Sequence, residues 1–472
     1  MSESEIDLPG APATAVTPAG RLDEDDRLKP EYVREVMERV EAGDSEGARA
    51  LVDPLHPADL ADLFELVDTD DRRALAAAIA DMLDADVLAE MNEHVREELV
   101  EALDPRQVAD IAGEMETDDA VAMIEDLEED DQRAVLRELD PDDRAAIEEA
   151  LAYPEESAGR LMQRDLIAVP EHWTVGQVID YLRAGDDLTT DFWEVFVVDE
   201  RHHPVGTCLL SWILRAQRAV AVADVMKREQ TLIPVDMDQE EVALRFQKYA
   251  LISAAVVDQS GRLVGMITVD DIVHIIQEEA SEDVLLLSGA GEGDINQPVL
   301  ESYASRVRWL IANLGTALVA ATIIGLFEGT IAKMVALAAL MPIVAGVGGN
   351  AGTQTLAVTV RALATNQLTQ SNTWRAILRE IRVAVLNGLT VAAVIGLGVG
   401  LVFSNAGLGA VIAAAMLANI LIAGFAGVIV PLALERAGAD PAVASSVFVT
   451  MVTDSMGFLV FLGLATASGI AG

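Results

Sequence analysis

Four long stretches between Leu310 and Gly472 carry almost no charge, and this pattern dictates a membrane domain. Residues 310–327 (18), 334–360 (27) and 383–434 (52) have none, and residues 441–472 (32) have one acid, Asp454. A membrane-spanning helix needs about 20 apolar residues to cross ~30 Å of hydrocarbon. The longest stretch therefore holds two spans, with "SNAGLG" (404–409) as the turn, giving five in all. A large buried helical core would not produce four such runs. Arg306 and Arg308 precede the first span; Arg361, Arg375, Arg379 and Arg382 separate the second from the third; Arg436 separates the fourth from the fifth. These clusters fall on alternate connections, so all can be cytoplasmic, which places the N-terminal half inside and the C-terminus outside a cytoplasmic membrane.

The N-terminal half is a different kind of polymer. From Glu301 onward there are 8 basic and 6 acidic residues, which leaves 24 basic and 72 acidic residues, a net of −48, for residues 1–300. A body so acidic is water-soluble and is no partner for nucleic acid. Much of the charge reads as solvation or adaptation to high salt. The single cysteine, Cys208, excludes a disulfide framework. Residues 1–25 lack the basic and apolar regions of a signal peptide and read as a disordered tail.

Three sections follow the tail. Residues 26–150 are rich in Ala, Leu, Asp and Glu at helical spacing, and "PADLADLFELVDTDD" from Pro57 matches "PRQVADIAGEMETDD" from Pro105 at an offset of 48. That predicts a superhelical stack of short helices. In residues 151–283, "VFVVDERHHPVGTCLLSWIL" (195–214) matches "AAVVDQSGRLVGMITVDDIV" (254–273) at an offset of 59, a tandem α/β unit that resembles a pair of CBS domains. Residues 284–305 are expected to carry an amphipathic connecting helix, and residues 306–472 form the membrane domain. The fold class is thus a multidomain membrane protein: an all-α superhelical N-domain, an α/β tandem CBS pair and a five-helix transmembrane domain.

Two features of the spans point to a cation path. "ADPAV" signals a helix start at Asp440 and Pro441. Asp454 then lies about 21 Å along the helix at 1.5 Å per residue, near the bilayer's middle. A carboxylate there costs about 2.5–3.5 kcal/mol on insertion scales, so it should face a partner or a wet cavity. The plain alternative is a buried Asp that is paired or protonated, but no Lys or Arg lies at comparable depth. In "MPIVAGVGGNAGTQ" (341–354), Gly346, Asn350 and Gln354 share a helix face, with Gly349 and Thr353 beside them. They read as neutral oxygens and close-approach glycines beside a hydrated divalent ion, or as a small-residue packing seam.

The chain resembles the MgtE-type magnesium channels along nearly its whole length. The order of its parts and the stretches "PIVAGVGGNAGTQ", "RALAT", "DPAVAS" and "VTDSMG" carry the likeness. The resemblance implies a homodimer in a lipid membrane with one pore on its two-fold axis. Asp454 would hold a hydrated Mg2+, with the Thr450 carbonyl lining the same path. It implies that cytosolic Mg2+ closes the pore by bridging acids, here Asp118, Glu240, Asp271, Glu279, Glu282 and Asp283. His274 and Ala250 stand where acids are expected. Thr268 and Asp271 have the Thr-x-x-Asp spacing that holds a ribose in CBS pairs, so ATP or AMP is a further expected ligand; the first repeat has "SWIL" there. An ion-coupled exchanger of Mg2+ or Co2+ shares this topology. An intramembrane aspartyl protease would need a second facing aspartate, so no enzyme is expected.

Overall fold

The computed structural model describes residues 20–184, 192–289, 296–368 and 371–470. The chain divides into two compact units, Met1–Ile276 and Gln277–Gly472. Most of the expected N-terminal tail lies outside the described residues. Residues 20–29 form a turn in which the Asp23 carboxylate accepts from the amides of Asp25 and Arg27.

The first unit opens with ten short helices: α1 (Pro30–Glu41), α2 (Ser45–Val52), α3 (Pro57–Glu65), α4 (Thr69–Ala78), α5 (Ala85–Ala89), α6 (Glu93–Val100), α7 (Pro105–Ala112), α8 (Thr117–Glu125), α9 (Glu129–Glu138) and α10 (Pro141–Ala150). The sequence punctuates them. Asp44, Asp68, Asp84 and Asp104 each accept a hydrogen bond from an amide of the first turn, and proline opens α1, α3, α7 and α10. Part of the acid excess is therefore placed where carboxylates satisfy free amides and complement the helix dipole. Leu63, Phe64, Leu75, Ile79, Val95 and Ile124 are fully enclosed between the helices. Buried arginines link the layers: Arg72 donates to the carbonyls of Phe64 and Val67 and pairs with Glu98 at 2.5 Å, and Arg96 pairs with Asp126 at 2.6 Å.

Two three-stranded sheets with identical topology follow. In the first, β1 (Ala168–Pro170) runs parallel to β2 (Glu194–Val198), which runs antiparallel to β3 (Pro204–Leu209). In the second, β4 (Leu232–Pro234), β5 (Ser253–Val257) and β6 (Leu263–Thr268) repeat this order, and both hairpins are irregular at the same place, Val197/Val198 and Val256/Val257. Helices α11 (Val175–Ala184), α12 (Leu210–Arg215), α13 (Val222–Val225) and α14 (Gln239–Tyr249) complete the pair. The sheets meet through Phe196, Val198, Ala255, Leu263 and Met266. His202 takes a positive φ of 66° where the second repeat has Gly261 at 81°, so one turn geometry serves both repeats.

Helix α15 (Val269–Ser288) crosses from the first unit into the second, and its Leu286 and Leu287 pack with Leu356, Val360, Ala442 and Val449. Of the connecting helix expected over 284–305, residues 290–295 lie outside the described residues, and the described remainder is not one element. Residues 284–288 end α15, Gly289 takes a φ of 71° that an α-helix does not continue, and α16 starts at Val299. Helices α16 (Val299–Leu326), α18 (Ala336–Ala364), α19 (Thr373–Val402), α20 (Ala406–Arg436) and residues 446–467 of α21 (Pro441–Ala467) are long and apolar enough to cross a membrane, while α17 (Glu328–Lys333) is a short link. The turn between α19 and α20 falls at the expected place, with the Asn405 side chain capping α20. Asp440 caps α21 by accepting from the Ala442 amide.

Close glycine contacts hold these helices together. A Cβ on Gly427 would lie 2.8 Å from the Gly352 carbonyl oxygen, and one on Gly409 would lie 2.5 Å from that of Gly396. With no hydrophobic drive between helices in lipid, such backbone approach supplies the packing. Gly427→Val should therefore force α18 and α20 apart and cost about 1–3 kcal/mol as overpacking. Thermal unfolding of the detergent-solubilised chain checks this: a clear fall in melting temperature is expected, and an unchanged one would contradict the contact.

Candidate cation sites

The first candidate site lies in the first unit, where α8 meets the start of α15. Glu116 precedes α8 and does not cap it; its carboxylate instead accepts from the Gln163 amide, whose side chain is buried. The same Gln163 nitrogen lies 3.5 Å from Asp271 Oδ2, which also accepts from the Thr268 hydroxyl at 2.7 Å. Asp118 and Asp119 in the first turn of α8, and Asp270 beside Asp271, complete the group. Asp118 Oδ1 is sealed from solvent and has no hydrogen-bond partner among the described residues.

The neighbouring carboxylates repel one another, and burial and this repulsion raise Glu116, Asp118, Asp119 and Asp271. Burial, then the charges of Asp271, Asp119 and Asp270, push Glu116 up to about 7. Burial raises Asp271 to about 6 against the opposing hydrogen bond from Thr268. Asp118 is raised well above the ordinary range by burial and by Asp271. Asp119 is raised by burial, with Arg96 and His274 acting against the rise. His274 thus stands beside Asp119 in this cluster, where an acid was expected.

The donors are all oxygen, which suits a hard cation such as Mg2+ or Ca2+. Among the described residues no group of three His, Cys, Asp or Glu side chains is already gathered into a metal site. What the geometry offers is an orphaned, desolvated carboxylate oxygen among like charges, which a shared divalent ion would satisfy.

The other expected sensor acids lie elsewhere. Glu240 is half-buried in the first turn of α14, and Ala250, where an acid was expected, ends that helix in a left-handed conformation. Glu279, Glu282 and Asp283 belong to the part of α15 in the second unit, where burial and Asp440 raise Asp283. Glu116, Asp119, Asp270 and Gln163 were not singled out from the sequence. The acid runs "METDD" and "TVDD" were the available signal for the first three; Gln163 gave none.

The second candidate site lies in the membrane unit. Asp454 is the middle residue of the 27-residue α21, is half-exposed in the single chain, and forms no ion pair or hydrogen bond among the described residues. The paired-Asp alternative therefore has no partner within the described chain. Thr450, one turn earlier, is exposed, and its carbonyl accepts from the Thr453 hydroxyl at 3.1 Å.

The glycines of α18 divide into two sets. Gly348 and Gly352 are packed: a Cβ on the first would meet the Asn419 amide and on the second Val449 and Thr453. Gly346 and Gly349 would meet nothing within 4 Å, and Asn350 is exposed, so this flank of the single chain is open. Gln354 lines a cavity of about 220 Å³ together with Asn387 and Glu380 of α19. Asn419, unanticipated from the sequence, is fully buried and donates to the Val344 carbonyl at 2.9 Å, fastening α20 to α18.

Known proteins match in the same order of parts. Family models match as the MgtE intracellular N domain (residues 55–156), a CBS domain (222–278) and the MgtE divalent cation transporter (341–464). A magnesium transporter MgtE of Enterococcus faecalis is 33% identical over 423 residues, 89% of this chain and 93% of its own. One from Thermus thermophilus is 31% identical over 91% of this chain and 97% of its own. A crystal structure of the cytosolic domain of the Mg2+ channel MgtE in complex with ATP is 29% identical and covers 52% of this chain and 99% of its own, with a TM-score of 0.48. Five apolar helices and relatives of this kind make the chain a multi-pass membrane protein, with an N-terminal helical domain and a CBS pair ahead of the spans. By its likeness to these transporters over nearly nine-tenths of its length, the chain belongs to the MgtE family of magnesium transporters.

Proposed function

We propose that the protein is a Mg2+ channel that admits Mg2+ into the cytoplasm down the membrane potential and closes when Mg2+ occupies its cytosolic acids. The carboxylate cluster around the orphaned Asp118 Oδ1 carries this reading. It joins the helical domain to the second CBS repeat, so a shared ion there favours the compact arrangement and its loss favours separation. Asp118 and Asp271 are the central ligands, with Glu116 and Asp119 as neighbours. Glu240, Glu279, Glu282 and Asp283 are assigned to further cytosolic ion sites.

In the membrane two copies related by a two-fold axis would bring two Asp454 carboxylates to one hydrated ion. The open flank of Gly346, Gly349 and Asn350, with Gln354 beside it, would supply neutral walls, and the Thr450 carbonyl would lie on the path. The N-terminus is assigned to the cytoplasm and the C-terminus to the outside. An adenine nucleotide is the second proposed ligand of the CBS pair. Thr268 and Asp271 would exchange their mutual hydrogen bond for ribose hydroxyls, and because Asp271 also faces Asp118, nucleotide and cation occupancy would be coupled.

Limited proteolysis of the full chain with and without millimolar free Mg2+ tests the regulatory half of this reading. Slower cleavage of the first unit is expected with the ion; identical cleavage patterns would remove the sensor assignment.

A further inference from the structure

We propose that the cavity between α18 and α19 binds an anionic phospholipid, its phosphate held by Arg361 and Arg375 and one acyl chain lying along Val358 and Val428. In the membrane unit α18 packs on α20 and α21, and α19 packs on α20, so a wedge stays open between α18 and α19. It encloses about 670 Å³, within the usual range for ligand sites of ~300–1,000 Å³. Arg361 comes from the last turn of α18 and Arg375 from the first turn of α19, and neither forms an ion pair with a described residue. Arg379 also lines the wedge but is paired with Glu380. The lining thus keeps two uncompensated guanidinium groups, the side chain that grips phosphate oxygens in pairs.

Asn372, at the start of α19, also lines the cavity, and its side-chain amide donates to the Gln367 carbonyl at 2.8 Å. Thr359, Gln367 and Glu380 also line the cavity, the last paired with Arg379, and the apolar part of the wall is Val358, 50% exposed, with Ala362, Leu368, Ala376 and Val428, 3% exposed. The arginines stand between the uncharged runs 334–360 and 383–434, the level at which a span meets headgroups. A cationic rim above an apolar floor matches both halves of a phospholipid, whereas a free phosphate would use only the rim.

The test uses the full chain, delipidated in a non-ionic detergent and titrated with phosphatidylglycerol, phosphatidylcholine or inorganic phosphate, with bound lipid counted by native mass spectrometry. One phosphatidylglycerol per protomer is expected, held at least tenfold more tightly than phosphatidylcholine and not displaced by equimolar inorganic phosphate. The double variant Arg361→Gln, Arg375→Gln should lose that preference. Val358→Trp, which leaves the arginines in place and fills the floor, should weaken retention of both lipids, and it decides the matter should the double variant misfold. Equal retention of the two lipids, undiminished binding by either variant, or displacement by inorganic phosphate would each overturn the assignment.

Discussion

Asp454→Ala and Asp454→Asn are expected to abolish Mg2+ uptake without unfolding the protein. The carboxylate sits at the middle of α21 with no ion-pair partner among the described residues, so it contributes nothing visible to packing. Its removal should recover roughly the 2.5–3.5 kcal/mol that a central acid costs on insertion scales. Function and stability should therefore move in opposite directions: uptake is lost while the melting temperature holds or rises. Growth of a magnesium-uptake-deficient strain at limiting Mg2+, measured beside thermal unfolding of the purified variants, checks both. Full rescue by either variant would remove Asp454 from the ion path, and a collapse in stability would make it a structural residue.

The second large effect is a Mg2+ stabilisation of the first unit that grows with pH. In the folded cluster Glu116 is raised to about 7 and Asp271 to about 6, against ordinary values near 4 in an unfolded chain. A raised carboxyl pKa stabilises the fold below the unfolded value, and that stability is lost as pH rises through the folded value. Without a divalent ion the unit should lose stability between about pH 4 and pH 7, as repulsion builds. An ion that needs ionised ligands binds best where the repulsion is greatest. At a hundredfold excess over its dissociation constant it adds about 2.7 kcal/mol, a shift of several degrees.

The Mg2+-induced rise in melting temperature should thus be large at pH 8 and small at pH 5.5. The double variant Asp118→Asn, Asp271→Asn should be more stable than the parent without Mg2+ at pH 8, and should lose most of the Mg2+ increment. A full increment in that variant, or one indifferent to pH, would dissociate the cluster from Mg2+ sensing.

The spans were legible because lipid tolerates so little charge that four runs sufficed to count five helices. The CBS repeats were legible because one hairpin geometry recurs at a fixed offset, down to the positive φ shared by His202 and Gly261. The connecting helix expected over 284–305 is divided between the end of α15 at Ser288, followed by Gly289 with a positive φ, and the start of α16 at Val299.

The acid cluster was half legible. Its aspartates stand in visible runs, but Gln163 meets Glu116 and Asp271 across 47 and 108 residues of sequence. Within "AGVGGNAG" no local pattern tells Gly348, against Asn419, from Gly346, which touches nothing; the position of α20 decides it.

Single-channel recording of the full chain in a lipid bilayer, with Mg2+ varied on the cytosolic face, tests the central claim most directly. Unitary Mg2+ currents are expected at low cytosolic Mg2+, with open probability falling as the ion reaches millimolar levels. Transport without unitary currents, driven only by a counter-gradient of another ion, or currents indifferent to cytosolic Mg2+, would contradict a Mg2+-gated channel.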